Sequence, residues 1–337
     1  ADENNAAANG LYYADLFARY GAATYVVPVD TTENAFPGDA YGPAAADRAT
    51  VAREVRRSTG VFFGGGDQMD YVRTLQHCRP APLEAFTHCT PSAVLSAVGD
   101  LLDEGGVVAG VSAGTTIQQG ADMITGGESY EAWRDGATPG YLDDPAALGY
   151  LPSGGFGFFS GAMLDSHFTT WGRQARMIRL AADTGHRHVI GIDETTALVV
   201  RRQSRQAEVI GRHGVSILEV TPRTTGWTYL TAGDRVDLRT WKVRPAPHSS
   251  ALVGTGPAAA PVVDVWDSAT ADEPGSYTLR NLAVDLVHST AREASGTTYE
   301  DGPRYRTVLR RTSATSAWEH GNVTSFADLE LDIATTG

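Results

Sequence analysis

The chain has one lysine, Lys242, so its positive charge is carried almost entirely by arginine. Arginine suits fixed forks for carboxylates, and the same bias also arises from genome composition. The turn "FFGGGDQMDYV" lacks the lysine and Ser/Thr of a Walker phosphate loop, which counts against a phosphate cradle there. Only two cysteines occur, Cys78 and Cys89. Their spacing is not that of a CxxC zinc or redox site. A disulfide and two buried thiols both fit; the disulfide would suit an exported protein. No apolar run reaches the roughly 18 residues of a membrane helix. No His/Cys/Asp cluster has ligand spacing, so neither a metal nor a cofactor is implied. The formal charge of −13 argues against non-specific nucleic-acid binding and is compatible with a cationic substrate. The opening "ADENNAAANG" lacks the charged and apolar segments of a signal peptide, and the first residue is not methionine.

What remains is an ordinary globular composition over 337 residues, enough for one or two domains. Residues 11–20 have helical spacing, and "GAATYVVPVD" follows as a β-rich run. Residues 43–60 and 91–106 read as helices ending in glycine. "VFFGGGDQMDYVRTL" reads as strand, glycine turn and helix, and "VVAGVSAG" as a strand entering a turn, with "TTIQQGADMI" continuing as helix. "TTWGRQARMIRLAADTG" is a further helix with an arginine-bearing face, and "HVIGIDETTALVV" is strand, turn, strand. Strands alternating with helices predict an α/β fold with a parallel sheet and helices on both faces. Past about residue 215 threonine, arginine and short β-like runs take over. Residues 249–261 read as a linker, and "YTLRNLAVDLVHSTARE" as one more helix. This divides the chain into residues 1–215 and a β-rich extension, 216–337.

Gly110-Val111-Ser112-Ala113-Gly114, between a strand and a helix, has the G-x-S-x-G form of a nucleophile elbow. Ser112 is a nucleophile or a serine in a tight turn. The backbone N–H of Ala113 would face a developing oxyanion. His167, before a helix, is a candidate base, or a cap. Of the two carboxylates after "VIGI", Glu194 is the better orienting group, while Asp193 fits a turn residue. The order Ser, His, Glu is not that of α/β-hydrolases. The turn "GGGDQ" can supply a second oxyanion N–H from Gly65 or Gly66, with Gln68 as a polar contact.

Taken together, "VFFGGGDQ", "GVSAG", "DSHFTTWGRQARMIRL" and "GIDETTALVV" resemble the cyanophycinase and dipeptidase-E serine peptidases, most of all the longer exported cyanophycinases. The resemblance covers roughly residues 11–215. It implies a flavodoxin-like fold related to class I glutamine amidotransferases and a Ser112–His167–Glu194 triad. It further implies an oxyanion hole from Gly65, Gly66 and Ala113. Gln68, Asp165, Arg173 and Arg176 match substrate-contacting positions. Ser166 stands where the family has glutamine and Trp171 where it has its first arginine. An indole cannot imitate an arginine fork, though it can stack on a guanidinium. The family's first two strands have no counterpart in this sequence, which would leave ladder edges open. The expected substrate is a β-linked aspartyl-arginine polymer or short isopeptides, with a homodimer allowed and with export; the rival readings are an aspartyl or isoaspartyl dipeptidase and a catalytically inactive fragment or binding protein.

Overall fold

The computed structural model describes residues 6–33, 41–79, 81–270 and 276–336. Residues 1–5 of the opening stretch lie outside them. The fold is mixed α/β, with parallel strand pairs, helices and a β-rich C-terminal region. The chain divides into two compact units. The first comprises residues 1–125, 139–143 and 149–160, and the second 126–138, 144–148 and 161–337.

In the first unit, α1 (Ala6–Arg19) is followed by α2 (Ala49–Arg57), β1 (Gly60–Phe63) and α3 (Gln68–Leu75). Then come β2 (Gln76–Cys78), β3 (Cys89–Pro91), α4 (Ala93–Asp103), β4 (Val107–Gly110) and α5 (Ala113–Thr116). β1 and β4 pair in parallel from Gly60↔Val107 to Phe63↔Gly110. Against them pack Val51 and Val55 of α2 and Val94, Leu95 and Val98 of α4, all buried. That helical spacing is visible in the sequence and builds the layer. α4 is started by Ser92, whose hydroxyl accepts the Leu95 N–H at 3.2 Å. β2 and β3 pair antiparallel with Cys78 opposite Cys89, and the two are joined as a disulfide.

Two expectations fail here. Residues 22–30 form no strand. Pro28 has no N–H to give a ladder, and Val29 N–H turns back onto Val27 O at 2.9 Å. The helix after Ser112 is only four residues long. Thr115, Thr116 and Ile117 are β-branched in succession and Gly120 follows, a poor sequence for continuing a helix.

Short strands β5 (Met123–Gly126), β6 (Thr138–Pro139) and β7 (Gly149–Leu151) lie where the chain passes between units. The second unit also holds α6 (Ser129–Asp135), β8 (Met163–Ser166), α7 (Gln174–Thr184), β9 (His188–Ile192), β10 (Thr196–Arg201) and β11 (Gln206–Gly211). β12 (Gly214–Val220), β13 (Thr225–Thr231), β14 (Arg235–Asp237) and β15 (Lys242–Arg244) follow. After β16 (Ser250–Ala251), β17 (Val262–Val263) and α8 (Thr278–His288) come β18 (Glu293–Thr297), β19 (Tyr305–Arg310), β20 (Ser316–His320) and β21 (Val323–Thr335). A ten-stranded sheet runs β17-β18-β19-β21-β13-β12-β9-β8, with β20 on β21 and β16 on β20. β8 and β9 are parallel, and β9, β12, β13 and β21 continue antiparallel. The compositional boundary at 215 therefore falls inside β12. Trp227, Trp266, Phe168 and Phe326 are the largest side chains fully buried in this unit. Each contributes on the order of 2–3 kcal/mol of apolar burial.

Candidate active site

Two sets of residues carry the expected chemistry, one in each unit. In the first, β4 ends at Gly110 and the chain turns sharply at Ser112. Ser112 has φ 53° and ψ −121°, a left-handed backbone at a residue with a Cβ. Such a conformation costs about 1–3 kcal/mol and must be held by its surroundings. What holds it is close backbone contact. A Cβ on Gly110 would lie 2.0 Å from Gly114 O, and one on Gly114 would lie 2.1 Å from Phe63 O in β1. Val111 N–H donates to that same Phe63 carbonyl at 3.1 Å. Only glycine fits at both flanking positions, which is the physical content of the motif. Ala113, buried, starts α5, so its N–H lies at the helix entrance beside the serine.

The glycine turn 64–66 lies beside this elbow. A Cβ on Gly65 would be 3.5 Å from Ser112 Cβ. Asp67 caps α3 by accepting the Met69 N–H at 2.7 Å, and Tyr141 donates its hydroxyl to the other Asp67 oxygen at 2.5 Å. That bond, the largest cause, together with burial pushes the Tyr141 phenol up to about 12. Gln68 is turned toward backbone, donating from Nε2 to Ile124 O at 2.9 Å. From α1, Tyr13 packs on Phe62 with ring centroids 4.8 Å apart.

In the second unit, His167 follows β8 directly, again with a left-handed φ of 53°. Glu194 lies just past β9, the parallel neighbour of β8. His167 Nδ1 and Glu194 Oε1 are 2.6 Å apart. A carboxylate facing Nδ1 assigns the hydrogen to that nitrogen and leaves Nε2 as the acceptor. The pair is what a general base and its orienting group require.

Around His167 the sequence-selected residues form one packed group. The Trp171 indole stacks on the imidazole at 4.7 Å with a 14° tilt. The Arg173 guanidinium lies 4.5 Å from the Trp171 ring. The guanidinium over this tryptophan is thus the chain's own. Arg173 donates to Ser166 O at 2.7 Å, and burial lowers its pKa to about 10. Arg176 grips Asp165 with two hydrogen bonds, 3.0 and 2.8 Å, and donates to Gly127 O at 2.5 Å. Asp165 is 1% exposed and Arg176 5%. Burial alone would raise the Asp165 carboxyl, but Arg176 and Arg173 outweigh it and hold it below the usual carboxylate range. These two charges face each other. Ser166 is also buried, its N–H donated to Asp165 at 2.8 Å.

The structure adds residues that sequence reasoning passed over. Asp67 and its partner Tyr141 are one case; an aspartate directly before a helix was a legible cap signal. Asp193, read as a turn residue, is buried and accepts hydrogen bonds from Thr169 N–H and Tyr229 Oη–H, both at 2.8 Å. Nothing in the local pattern marks a partner 36 residues away.

The fold and these two residue sets define a class: an α/β protein with an elbow serine and a histidine held by a glutamate. No family model matches the chain. It is 29% identical over 181 residues to a cyanophycinase of Trichormus variabilis, covering 53% of this chain and 51% of that protein. A cyanophycinase of Thermosynechococcus vestitus is 28% identical over 222 residues, 66% of this chain and 56% of the relative. A crystal structure of a peptidase from an acI-B1 Actinobacterium superposes with a TM-score of 0.48 at 20% identity, covering 70% of this chain and 78% of that one. The chain is similar to these cyanophycinases at 28–29% identity, and it spans about half the length of the first of them.

Proposed function

We propose that the protein is a serine peptidase that hydrolyses a β-linked aspartyl-arginine polymer, cyanophycin, to dipeptides. The observation that carries the reading is the strained backbone at Ser112, φ 53°, held by two glycines that no other residue could replace. Strain of this kind at an elbow serine is the mark of a presented nucleophile. The His167–Glu194 pair supports it, and the cyanophycinase relatives supply the substrate class. The net charge of −13 suits a polymer rich in guanidinium groups.

In this mechanism Ser112 Oγ attacks the carbonyl carbon of the β-aspartyl amide. His167 Nε2 takes the hydroxyl proton, and Glu194 stabilises the imidazolium. N–H groups from Gly65, Gly66 and Ala113 hold the oxyanion. The C–N bond breaks as His167 returns the proton to the leaving nitrogen. Water, deprotonated by His167, then hydrolyses the ester and frees Ser112. Gln68, Trp171 and Arg173 are the proposed contacts around the substrate. Asp165, Ser166 and Arg176 act behind them by fixing Arg173. The Cys78–Cys89 disulfide supports an exported protein. Among the described residues, no helix is long and apolar enough to cross a membrane.

The test is release of aspartyl-arginine dipeptide from purified cyanophycin by the chain and by Ser112→Ala. The expected result is release that falls by about 10⁴-fold or more in the variant. If Ser112 reacts with a fluorophosphonate but polymer stays intact, free isoaspartyl dipeptides become the substrate to assay. A Ser112→Ala protein as active as the unaltered chain would sink the proposal.

A further inference from the structure

Asp193 lies immediately before Glu194 and has no part in the mechanism above. It is 3% exposed, and both carboxylate oxygens and its N–H are hydrogen-bonded. Oδ1 accepts the Thr169 N–H, two residues past His167, at 2.8 Å. Oδ2 accepts the Tyr229 hydroxyl of β13 at 2.8 Å. Its own N–H donates to Gly214 O, at the start of β12, at 3.1 Å. One side chain therefore ties together the turn that carries His167, the turn that carries Glu194 and the middle of a C-terminal strand.

Both turns need such a tie. His167 has φ 53° and Thr195, next to Glu194, has φ 50°. Neither is glycine, so each left-handed backbone costs about 1–3 kcal/mol and persists only where neighbours enforce it. Tyr229 is itself a firm anchor. It is 2% exposed and stacks on Phe326 of β21 with centroids 5.9 Å apart. The Arg280 guanidinium of α8 lies 5.9 Å from its ring and 5.0 Å from that of Tyr277. These supports all come from the C-terminal region, to which the resemblance assigned no role.

We propose that Asp193 is a positioning residue: anchored by Tyr229, it sets the approach of His167 Nδ1 to Glu194 Oε1. Through it the C-terminal β-region serves the proposed reaction without touching substrate. The inference rests on reading His167 as the base, and it can be tested without any peptide substrate.

A short Nδ1–H···carboxylate bond gives a far-downfield proton resonance, which Glu194→Gln should abolish. In Tyr229→Phe and Asp193→Ala that resonance should shift or vanish. Labelling of Ser112 by diisopropyl fluorophosphate should slow by about a hundredfold, the cost of a misplaced base. Asp193→Asn keeps a carbonyl for Thr169 N–H and should restore much of the labelling rate. A merely structural role would lower the melting temperature and leave the resonance and labelling rate unmoved. Folded Tyr229→Phe protein with both at wild-type values overturns the proposal; if Asp193→Ala does not fold, this variant decides. A missing resonance in the unaltered protein, or one that survives Glu194→Gln, overturns the His167–Glu194 pair and this proposal with it. Failure of polymer release with the resonance intact counts against the substrate alone.

Discussion

Arg176 and Asp165 show what a buried charge pair does beside the His167–Glu194 pair. Two ions taken out of water are costly, and here the cost is offset by a bidentate bond and by Gly127 O. What the pair achieves is placement. Asp165 also accepts from Arg173 at 3.4 Å, so the guanidinium beside Trp171 is held from behind. Removing one partner leaves an uncompensated charge. Arg176→Met should therefore lose about 3–5 kcal/mol in urea unfolding at pH 7. The pH dependence has a definite sign. Asp165 has its folded pKa depressed, so its contribution is complete above the unfolded value near 3.9 and is lost as pH falls through the folded one. In Arg176→Met the carboxyl is opposed mainly by burial and can take up a proton, so the deficit should shrink on acidification. A loss under about 1 kcal/mol would place this pair with ordinary surface bridges.

Among the elements, α8 is held at its start by a residue far outside it. Asp267 accepts the Thr278 N–H at 3.1 Å, and the Thr278 hydroxyl donates to its other oxygen. Burial raises the Asp267 carboxyl to about 6, with Asp264 adding to the rise and the Thr278 bonds opposing it. The folded protein thus keeps a proton between about pH 4 and 6 that the unfolded chain releases. Stability must fall as pH rises through that window, by up to about 3 kcal/mol from this group. Asp267→Asn should flatten the slope measured by thermal unfolding from pH 4 to 7; an unchanged slope would show that Asp267 is not its source. Elements differ sharply in how well the sequence announces them. α2, α4, α7 and α8 are legible because each buries an apolar stripe of its own residues. The elbow is legible because steric need fixes its two glycines, Gly110 and Gly114. The failures at 22–30 and after Ser112 are places where proline and β-branched residues set local geometry against a wider pattern. Asp193–Tyr229 is invisible for another reason: its geometry exists only once β9, β12 and β13 have paired.

Across the whole chain, the shift in composition near residue 215 suggests a separable extension, and the sheet argues otherwise. β12 pairs with β9 along Val215–Glu219 and with β13 along its full length. β13 in turn pairs with β21, about a hundred residues on, a contact no local periodicity encodes. A chain ending at residue 215 would lose nearly all of β12. β9 would then be left with an open edge and Val189 and Ile190, now fully buried, exposed. An open, apolar strand edge is a template for aggregation. A chain of residues 1–215 should consequently aggregate or bind a hydrophobic dye, and should lack the downfield His167 resonance. The 337-residue chain should show that resonance and resist proteolysis within β12 and β13. If the 1–215 chain instead stays monomeric with the His167–Glu194 resonance in place, the C-terminal strands are an appendage. The present sheet order makes them part of the wall on which His167 is mounted.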